Sequence, residues 1–267
     1  MAFIHSGRRH IWAEQHGSGP AVLFLHGAGS NAATWWQQLP TFAARHTCIT
    51  LDLRCFGRSV APMDEFSHRH FVPDVLAVLD HFGVQRAVVV GQSLGGMVGL
   101  RLALQQPDRV AAFVACDSPL GLDHPAITQA LERRARTATA LTLEQRALGA
   151  WFLQRDPERA ALYAQINAFN PGTHSVSPAD WRAAMDRLLD PADLLPLSAL
   201  PGLRVPVLWL VGREDPLVPL QAMQDCAAQV PGSELAVVDD CGHSTYFEKP
   251  GVFNHLVMDF IARRVSA

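Results

Sequence analysis

The sequence contains very little lysine and no paired cysteines. Lys249 is the only lysine among 267 residues, and the five cysteines are scattered without a CxxC spacing. A Walker A phosphate-binding loop requires a lysine after its glycines, which this chain does not offer. The cysteine spacing favours small buried thiols over a zinc ribbon or a dithiol redox site. These absences exclude several common classes of site.

The chain also has no excess of positive charge and no long apolar run. Its 22 basic and 25 acidic residues give a net charge of −3, which argues against nucleic acid as a partner. No apolar run is long enough to cross a bilayer, and the first residues lack the apolar stretch of a secretory signal. Hydrophobic residues make up 49% of the chain, enough for one large globular domain. We expect a cytoplasmic protein, a monomer or homodimer, that acts on a small molecule without contacting membranes.

Short β-branched apolar segments alternate with helical patterns through most of the chain. The segments are continuously apolar, as in strands of a parallel sheet that is covered on both faces. Helical patterns over 71–82 and 94–106 lie between them, and this alternation predicts a doubly wound α/β fold. The predicted strands are 21–25, 48–51, 87–90, 110–115, 205–211 and 234–238.

The alternation is interrupted between about residues 118 and 200. This stretch is too long for an ordinary connection, is rich in Ala, Leu, Arg and Gln, and contains no convincing strand. Because the strand pattern resumes at Arg204, the simplest interpretation is a helical cap inserted into one domain. The predicted core is therefore 1–117 together with 201–267, and the predicted cap is 118–200.

The strongest chemical signal is the segment 91–96, GQSLGG, which directly follows the apolar run 87–90. It matches G-x-S-x-G between a strand and a helix, the arrangement that presents a nucleophilic serine. The turn is so tight that a Cβ next to the serine would clash, which explains the glycines. Ser93 is therefore the candidate nucleophile, with the start of the following helix directed at the reaction centre.

A serine hydroxyl needs a base that takes its proton. Most of the twelve histidines, including His68, His70 and His81, have polar or helical neighbours that indicate surface or structural roles. His243 instead follows the last predicted strand, and Gly242 permits a sharp loop there. Since that strand ends at the same edge of the sheet as Ser93, His243 is the candidate base.

The base in turn needs an acid that orients the imidazole and stabilises its cation. Asp215 follows the predicted strand 205–211, precedes Pro216 and gives the chain order Ser, Asp, His. Glu214 and Asp117 remain alternatives. Glu214 is adjacent but should point away if the loop is extended, whereas Asp117 also follows a strand at the correct edge.

A group of small residues follows the first strong strand, in the segment 25–30, LHGAGS. Small residues allow the backbone to approach a substrate oxygen closely. The N–H groups of Ala28 and Leu94 are the predicted oxyanion hole. We assign His26 to ordering this loop by hydrogen bonds rather than to a role as base.

Together these motifs resemble the α/β-hydrolase family over nearly the whole chain. The resemblance also rests on the segment 52–59, DLRCFGRS, in which Cys55 stands where the family usually has glycine. It implies a doubly wound, mostly parallel sheet of eight strands with a helical cap over the active site. It further implies a catalytic triad of Ser93, Asp215 and His243, and no metal or other cofactor.

Within this family the chain looks like the small capped bacterial enzymes, which include carboxylesterases, enol-lactonases and carbon–carbon bond hydrolases. We therefore expect a serine hydrolase that cleaves a carboxylic ester or lactone through an acyl-enzyme. A carbon–carbon bond hydrolase acting on a vinylogous diketone uses the same three residues and remains an alternative. A serine in the turn between strand and helix separates the chain from haloalkane dehalogenases and epoxide hydrolases, whose nucleophile is aspartate.

Two classes of function outside the hydrolases also remain as alternatives. Residues 27–32, GAGSNA, fit the dinucleotide-binding pattern G-x-G-x-x-G/A, and Asp52 lies near where a ribose-binding acid belongs. Pro40 interrupts the helix that this interpretation requires, and the interpretation leaves Ser93 and His243 unexplained. A non-catalytic ligand receptor is the second alternative, although every position of the triad is filled.

The sequence says least about substrate contacts. Leu217 and Val218 are predicted to line an apolar pocket that Trp151 would roof, although packing between cap and core is the more common reason for a residue such as Trp151. Three cap arginines would suit a carboxylate, but a solvated helix face is the more common reason for such residues. They are Arg133, Arg134 and Arg136. We expect a small or medium-sized, largely apolar acyl or ring substrate.

Overall fold

The computed structural model describes residues 1–137, 140–170 and 176–265, and its centre is an eight-stranded sheet. A separate ladder of two short strands, β7 (Leu122–Asp123) and β8 (Leu195–Pro196), lies outside it. The strands of the main sheet are β1 (Ala2–Ser6), β2 (Arg9–His16), β3 (Ala21–Leu25), β4 (Thr47–Leu51), β5 (Ala87–Gln92), β6 (Val110–Cys116), β9 (Val207–Gly212) and β10 (Glu234–Val238).

The sheet order is β1-β2-β4-β3-β5-β6-β9-β10. β2 pairs antiparallel with both β1 and β4, and every other neighbouring pair in this sheet is parallel. Parallel neighbours end at the same edge, so the loops after β3, β5, β6, β9 and β10 converge there. The predicted fold class, a doubly wound and mostly parallel eight-stranded sheet, is confirmed.

Helices connect the strands and cover both faces of the sheet. Within the described residues no helix is both long and apolar enough to span a membrane. The helices are α1 (Leu39–Phe42), α2 (His68–His81), α3 (Leu94–Gln105), α4 (Pro125–Thr137), α5 (Leu143–Ala147), α6 (Ala150–Arg155), α7 (Pro157–Ala168), α8 (Pro178–Leu188), α9 (Leu220–Gln229), α10 (Thr245–Glu248) and α11 (Pro250–Arg264).

The apolar core lies on both sides of the sheet. Successive residues of β5 alternate between two clusters: Val88 and Val90 belong to one, and Ala87 and Val89 belong to the other. All four are buried, which explains why this strand is apolar at every position instead of every second one. The covered sheet holds the ends of its strands rigidly at the edge where the loops converge.

Helices α4 to α8 lie between β6 and β9 in the chain, in the stretch for which a helical cap is predicted. The expectation that this stretch contains no strand is wrong at two places, because Leu122 pairs with Leu195 in the short β7–β8 ladder. A ladder of two residues is too short to produce a recognisable apolar run. The boundaries of the cap at 118 and 200 stay predictions.

Candidate active site

Ser93 occupies the turn between β5 and α3. Its backbone has φ 51° and ψ −112°, a strained conformation for a residue with a side chain. Neighbouring glycines permit the turn, because a Cβ on Gly95 would lie 2.1 Å from the carbonyl oxygen of Leu25. α3 begins at Leu94, so the serine lies at the positive end of that helix.

His243 and Asp215 extend a hydrogen-bonded chain that starts at Ser93. Ser93 Oγ lies 3.0 Å from His243 Nε2, and His243 Nδ1 lies 2.8 Å from Asp215 Oδ2. In this arrangement the hydroxyl donates to Nε2, and the Nδ1–H donates to the carboxylate. The side chains of His243 and Asp215 are 6% and 0% exposed. The structure thus brings together the three predicted residues in the geometry of a nucleophile, a base and an orienting acid.

The loop after β9 fixes the orientation of Asp215. Its Oδ1 accepts hydrogen bonds from the N–H of Leu217, at 2.7 Å, and of Val218, at 3.0 Å. These backbone bonds leave Oδ2 for His243, so the carboxylate has one preferred orientation. The side chains of Leu217 and Val218 are buried in the larger apolar cluster, and their contact with substrate stays a prediction.

Asp117, one of the two alternative acids, joins two loops of the site. It is fully buried, and it accepts hydrogen bonds from the N–H of Gly212 and from both the N–H and the hydroxyl of Thr245. Burial, together with the nearby charge of Asp215, raises the pKa of Asp117 to about 6. It is Asp215 that accepts the hydrogen bond from the imidazole Nδ1–H, whereas Asp117 links the loop after β9 to the residues that follow the histidine.

The loop 27–32 packs directly against the turn that holds Ser93. A Cβ on Gly27 would lie 2.2 Å from Gln92 Oε1 and 3.2 Å from Ser93 Cβ. In the part of the chain that the structure describes, the N–H of Ala28 has no acceptor. Leu94 is the first residue of α3, where an N–H has no acceptor within the helix. Both predicted oxyanion donors are therefore backbone N–H groups of segments that meet at the serine, and their assignment to an oxyanion hole stays a prediction.

His26 orders the loop 27–32 from beneath, as expected. Its Nδ1–H donates to the carbonyl oxygen of Gly27 at 2.7 Å, and its Nε2 accepts from the N–H of Leu53 at 2.9 Å. Complete burial lowers the pKa of His26, so the neutral tautomer that these two bonds require is favoured. Both ring nitrogens are occupied, which leaves neither to act as a base.

The segment 52–59 supports the same loop. Asp52 is buried, its Oδ1 accepts from the N–H of Ala32 at 2.7 Å, and its Oδ2 accepts from Arg58 at 2.8 Å. A carboxylate occupied in this way is not available for a ribose, which removes the main support for the dinucleotide interpretation. Cys55 has φ +73°, so it adopts the left-handed conformation for which the family usually has glycine.

The helical stretch between β6 and β9 is hydrogen-bonded to the loops that carry the histidine and the acid. The N–H of His243 donates to the carbonyl oxygen of Ala147 at 2.8 Å. The N–H of Ala150 donates to Glu214 Oε2 at 3.1 Å. Glu214 therefore points away from the imidazole, as expected for a residue next to Asp215 in an extended loop.

Glu248 makes the most extensive of these contacts, and the sequence reasoning missed it. Its carboxylate is 2% exposed and accepts hydrogen bonds from the N–H groups of Gly242, Ser244 and Gly149. The first two flank His243, and the third lies at the start of α6. Burial raises the pKa of Glu248 to about 7. Nothing in the sequence around Glu248, five residues after the histidine, indicates that this side chain contacts Gly149.

Two further residues that hold the backbone of His243 and Ser93 were also missed. Gln92 Nε2 donates to the carbonyl oxygen of His243 at 2.8 Å. Ser118 Oγ donates to the carbonyl oxygen of Ser93 at 2.6 Å. Gln92 lies inside the G-x-S-x-G motif, and a polar residue at the end of an otherwise apolar strand is a signal that could have found it.

Trp151 lies at the surface. Its side chain is exposed, and Lys249 Nζ and the Arg155 guanidinium lie 4.2 and 5.4 Å from its ring centroid. These cation–π contacts account for the position of the ring, and no contact with the triad is found among the described residues. The predicted role of Trp151 as the roof of a pocket gains no support from this placement.

The three cap arginines do not share one environment. Arg133 and Arg136 are exposed and donate to side chains of their own helix, α4. Arg134 is partly buried and donates to the carbonyl oxygen of Arg146 at 2.9 Å. Burial and the charge of Arg146 lower the pKa of Arg134, whereas the charge of Asp215 acts in the opposite direction. Of the three, only Arg134 is thus partly buried.

An apolar cavity of about 250 Å³ lies beside the first turn of α3. Met97, Pro119 and Leu122 form one side, and Ile127 and Leu131 of α4 form another. The described residues contain no group of three or more His, Cys, Asp and Glu side chains placed to hold a metal ion.

Comparison with known proteins relates the chain to hydrolases. A sequence profile of the alpha/beta hydrolase fold matches residues 20–250. The chain is 28% identical to the "putative carbamate hydrolase RutD" of Azorhizobium caulinodans, over 97% of this chain and 98% of that protein. It is 31% identical to a 2-hydroxymuconate semialdehyde hydrolase of Pseudomonas putida, over 92% of this chain and 88% of that protein.

A solved structure described as "Est816 as an N-acyl homoserine lactone degrading enzyme" superposes with a TM-score of 0.82. The two chains are 30% identical, and the match covers 97% of this chain and 100% of the other. The enol-lactonase of Burkholderia xenovorans LB400, with a TM-score of 0.80 and 22% identity, shares the fold.

Proposed function

Since this chain belongs to the alpha/beta hydrolase fold family, we propose that it is a serine hydrolase that cleaves a carboxylic ester or lactone. The observation that carries this proposal is the continuous hydrogen-bonded chain from Ser93 through His243 to Asp215. A serine, an imidazole and a buried carboxylate in this order are the parts that acyl transfer requires. The similarity to Est816, described as a lactone-degrading enzyme, adds support for this bond type.

In the proposed mechanism Ser93 Oγ attacks the substrate carbonyl while His243 Nε2 takes the hydroxyl proton. Asp215 holds the Nδ1–H and stabilises the imidazolium that forms. The N–H groups of Ala28 and Leu94 stabilise the tetrahedral oxyanion, aided by the positive end of α3. His243 then protonates the leaving group, and water, activated by the same base, hydrolyses the acyl-enzyme.

The proposal places a small, largely apolar acyl group in the cavity beside α3, whose lining residues do not include the triad. Met97 lies one helical turn after Ser93, and most of the other lining residues are also apolar. A cavity of about 250 Å³ is of a size for a short acyl chain or a single ring, and too small for a long lipid chain.

A carbon–carbon bond hydrolase is the second candidate, favoured by the 31% identity to a 2-hydroxymuconate semialdehyde hydrolase. Such a substrate is ketonised before the carbonyl is attacked, and the serine, histidine and aspartate would then serve the same steps. The two candidates differ in the substrate that is accepted and not in the triad.

The first test is hydrolysis of p-nitrophenyl acetate and butyrate by the wild type beside Ser93→Ala. We expect Ser93→Ala to reduce kcat by roughly 10⁴-fold or more, because the nucleophile is lost. Ser177→Ala, an exposed N-cap residue of α8, serves as the control and should retain the wild-type rate.

Three outcomes separate the candidates. Hydrolysis that Ser93→Ala abolishes supports the esterase. A folded wild type that leaves these esters intact but is labelled at Ser93 by a fluorophosphonate turns the assignment to lactones and vinylogous diketones. A wild type that is neither active nor labelled contradicts the proposed hydrolase function and supports the alternative of a non-catalytic ligand receptor.

A further inference from the structure

The loop 27–32, which we call the oxyanion loop, is held from two directions. From the core, Asp52 accepts a hydrogen bond from the N–H of Ala32. From the end of α7, Asn170 Nδ2 donates to the carbonyl oxygen of Gly29 at 2.8 Å. Gly29 follows Ala28 directly, so the second contact reaches the residue next to the proposed oxyanion donor.

Asn170 is buried, with 4% of its surface exposed, and it bridges three segments. Besides the bond to Gly29, its Nδ2 donates to the carbonyl oxygen of Asn167 at 2.7 Å. Its Oδ1 accepts from the N–H of Gly57 at 2.6 Å. The amide thus connects α7, the oxyanion loop and the segment 52–59 through both of its polar atoms.

A second asparagine makes the reciprocal contact. Asn31, in the oxyanion loop, is fully buried, and its Nδ2 donates to the carbonyl oxygens of Ile166 and Phe169. These carbonyls lie at the C-terminal end of α7, where helical carbonyls lose their i+4 donors, and that of Ile166 also accepts from the N–H of Phe169 at 3.2 Å. The helix end and the loop are therefore connected by side-chain amides in both directions, without a charged group.

The oxyanion loop has little else to fix the peptide at Gly29. A Cβ at this position would meet no atom within 4 Å, so the backbone is not packed there. Gly29 has φ +81°, a conformation that glycine leaves easily because it populates many others. A hydrogen bond from the N–H of Ser30 to the carbonyl oxygen of Gly27 closes the turn, and the side chain of Asn170 binds the carbonyl oxygen of Gly29 within it.

We propose that Asn170 is a positioning residue that fixes the oxyanion loop, and with it the direction of the Ala28 N–H, from the helical stretch between β6 and β9. This inference rests on the proposed serine hydrolase function. It assigns the segment directly after α7 a part in transition-state stabilisation.

The experiment compares Asn170→Ala and Asn170→Asp with Asn167→Ala. Asn167 is a buried amide three residues before Asn170, in the last turn of α7. Among the described residues its Nδ2 donates to the carbonyl oxygen of Tyr163 and not to the oxyanion loop, so it is a matched control. Asn170→Asp retains the shape and the acceptor for Gly57. It places a carboxylate oxygen against the carbonyl of Gly29, and it decides the test if Asn170→Ala does not fold.

For p-nitrophenyl butyrate we expect kcat of both Asn170 variants to fall about 10- to 100-fold, because a displaced oxyanion donor acts in the transition state. KM should stay within about twofold, since the ground-state ester does not use that donor fully. The inhibition constant of a trifluoromethyl ketone, which forms a tetrahedral oxyanion, should rise by the same factor as kcat/KM falls. Hydrogen exchange of the amides in 27–32 should accelerate, and Asn167→Ala should change none of these quantities.

The outcomes distinguish this inference from the proposed function. An active wild type with Asn170 variants that match Asn167→Ala overturns the positioning role and leaves the esterase intact. A fall in kcat without weaker binding of the trifluoromethyl ketone overturns it as well, since the loss would then lie outside the oxyanion loop. A folded wild type that neither hydrolyses esters nor reacts with the fluorophosphonate overturns both.

Discussion

At the scale of single residues, the sequence correctly indicates that glycine is needed at position 242, but the structure gives a different physical reason for it. The sequence suggests that this glycine permits a sharp loop before His243. In the structure the backbone of Gly242 is not in the left-handed region, and what excludes a side chain is proximity. A Cβ there would lie 2.4 Å from the backbone nitrogen of Gly149 and 2.7 Å from the carbonyl carbon of Leu148.

We therefore expect Gly242→Ala to push the chain at Gly149 away from the histidine loop. The free energy of unfolding should fall by about 1–3 kcal/mol, as for other overpacked sites, and kcat should fall because His243 is displaced. Gly251→Ala is the matched control, because no atom lies within 4 Å of its added Cβ, in the first turn of α11. It should leave activity unchanged and leave stability unchanged or raised by up to about 1 kcal/mol. If Gly242→Ala and Gly251→Ala had equal effects on urea unfolding and on ester hydrolysis, this explanation would be contradicted.

Much of the candidate site could be predicted residue by residue, because each part follows a strand. Ser93, Asp215 and His243 each come just after an apolar run, and parallel strands end at one edge. Glu248 and Asn170 could not be predicted in the same way. Their partners Gly149 and Gly29 lie 99 and 141 residues away in the chain, and only the folded arrangement of α6 and α7 brings them together.

At the scale of elements, β1 and β2, the two strands of the main sheet that the sequence pattern does not reveal, were missed for a common reason. They pair antiparallel at the edge of the sheet, and β2 alternates buried Ile11 and Ala13 with the more exposed Trp12 and Glu14. Strands that are covered on both faces are apolar at every position, whereas a strand with one exposed face is apolar only at alternate positions and forms no continuous apolar run. The six covered strands were found because their composition differs most from that of helices and loops.

The contact between α6 and the histidine loop makes stability depend on pH through Glu248. Burial raises the pKa of this carboxyl from 4.5 to about 7 in the folded protein, so folding favours the neutral form. The stability that the neutral form contributes is fully present below about pH 4.5 and is lost as the pH rises through about 7. Glutamine is neutral throughout, so Glu248→Gln lacks this dependence.

We expect the unfolding free energy of the wild type, minus that of Glu248→Gln, to decrease as the pH rises from about 5 to about 8. Urea unfolding of the two proteins at matched pH measures this difference and cancels the groups that titrate alike in both. A difference that stays constant over this range, or that increases, would show that Glu248 is not held mainly neutral by burial.

At the scale of the whole molecule, the helical stretch between β6 and β9 is hydrogen-bonded to the core on two sides. On one side, residues 147–150 contact the loops of His243 and Asp215; on the other, residues 166–170 contact the oxyanion loop. The resemblance to capped enzymes implies a helical cap over the active site. These contacts also make α5 to α7 part of the scaffold that holds the active-site loops.

The burial of all five cysteines has a practical consequence. Cys48, Cys55, Cys116, Cys226 and Cys241 are each at most 1% exposed, and burial raises the pKa of every one of these thiols. A maleimide added to the native protein should therefore find no reactive thiolate until the chain opens. All five cysteines lie outside the helical stretch, so if the core opens as one unit, intact-mass spectra taken during slow labelling should show molecules with no adduct or five. Species with one or two adducts would reveal that one part of the molecule opens before the rest.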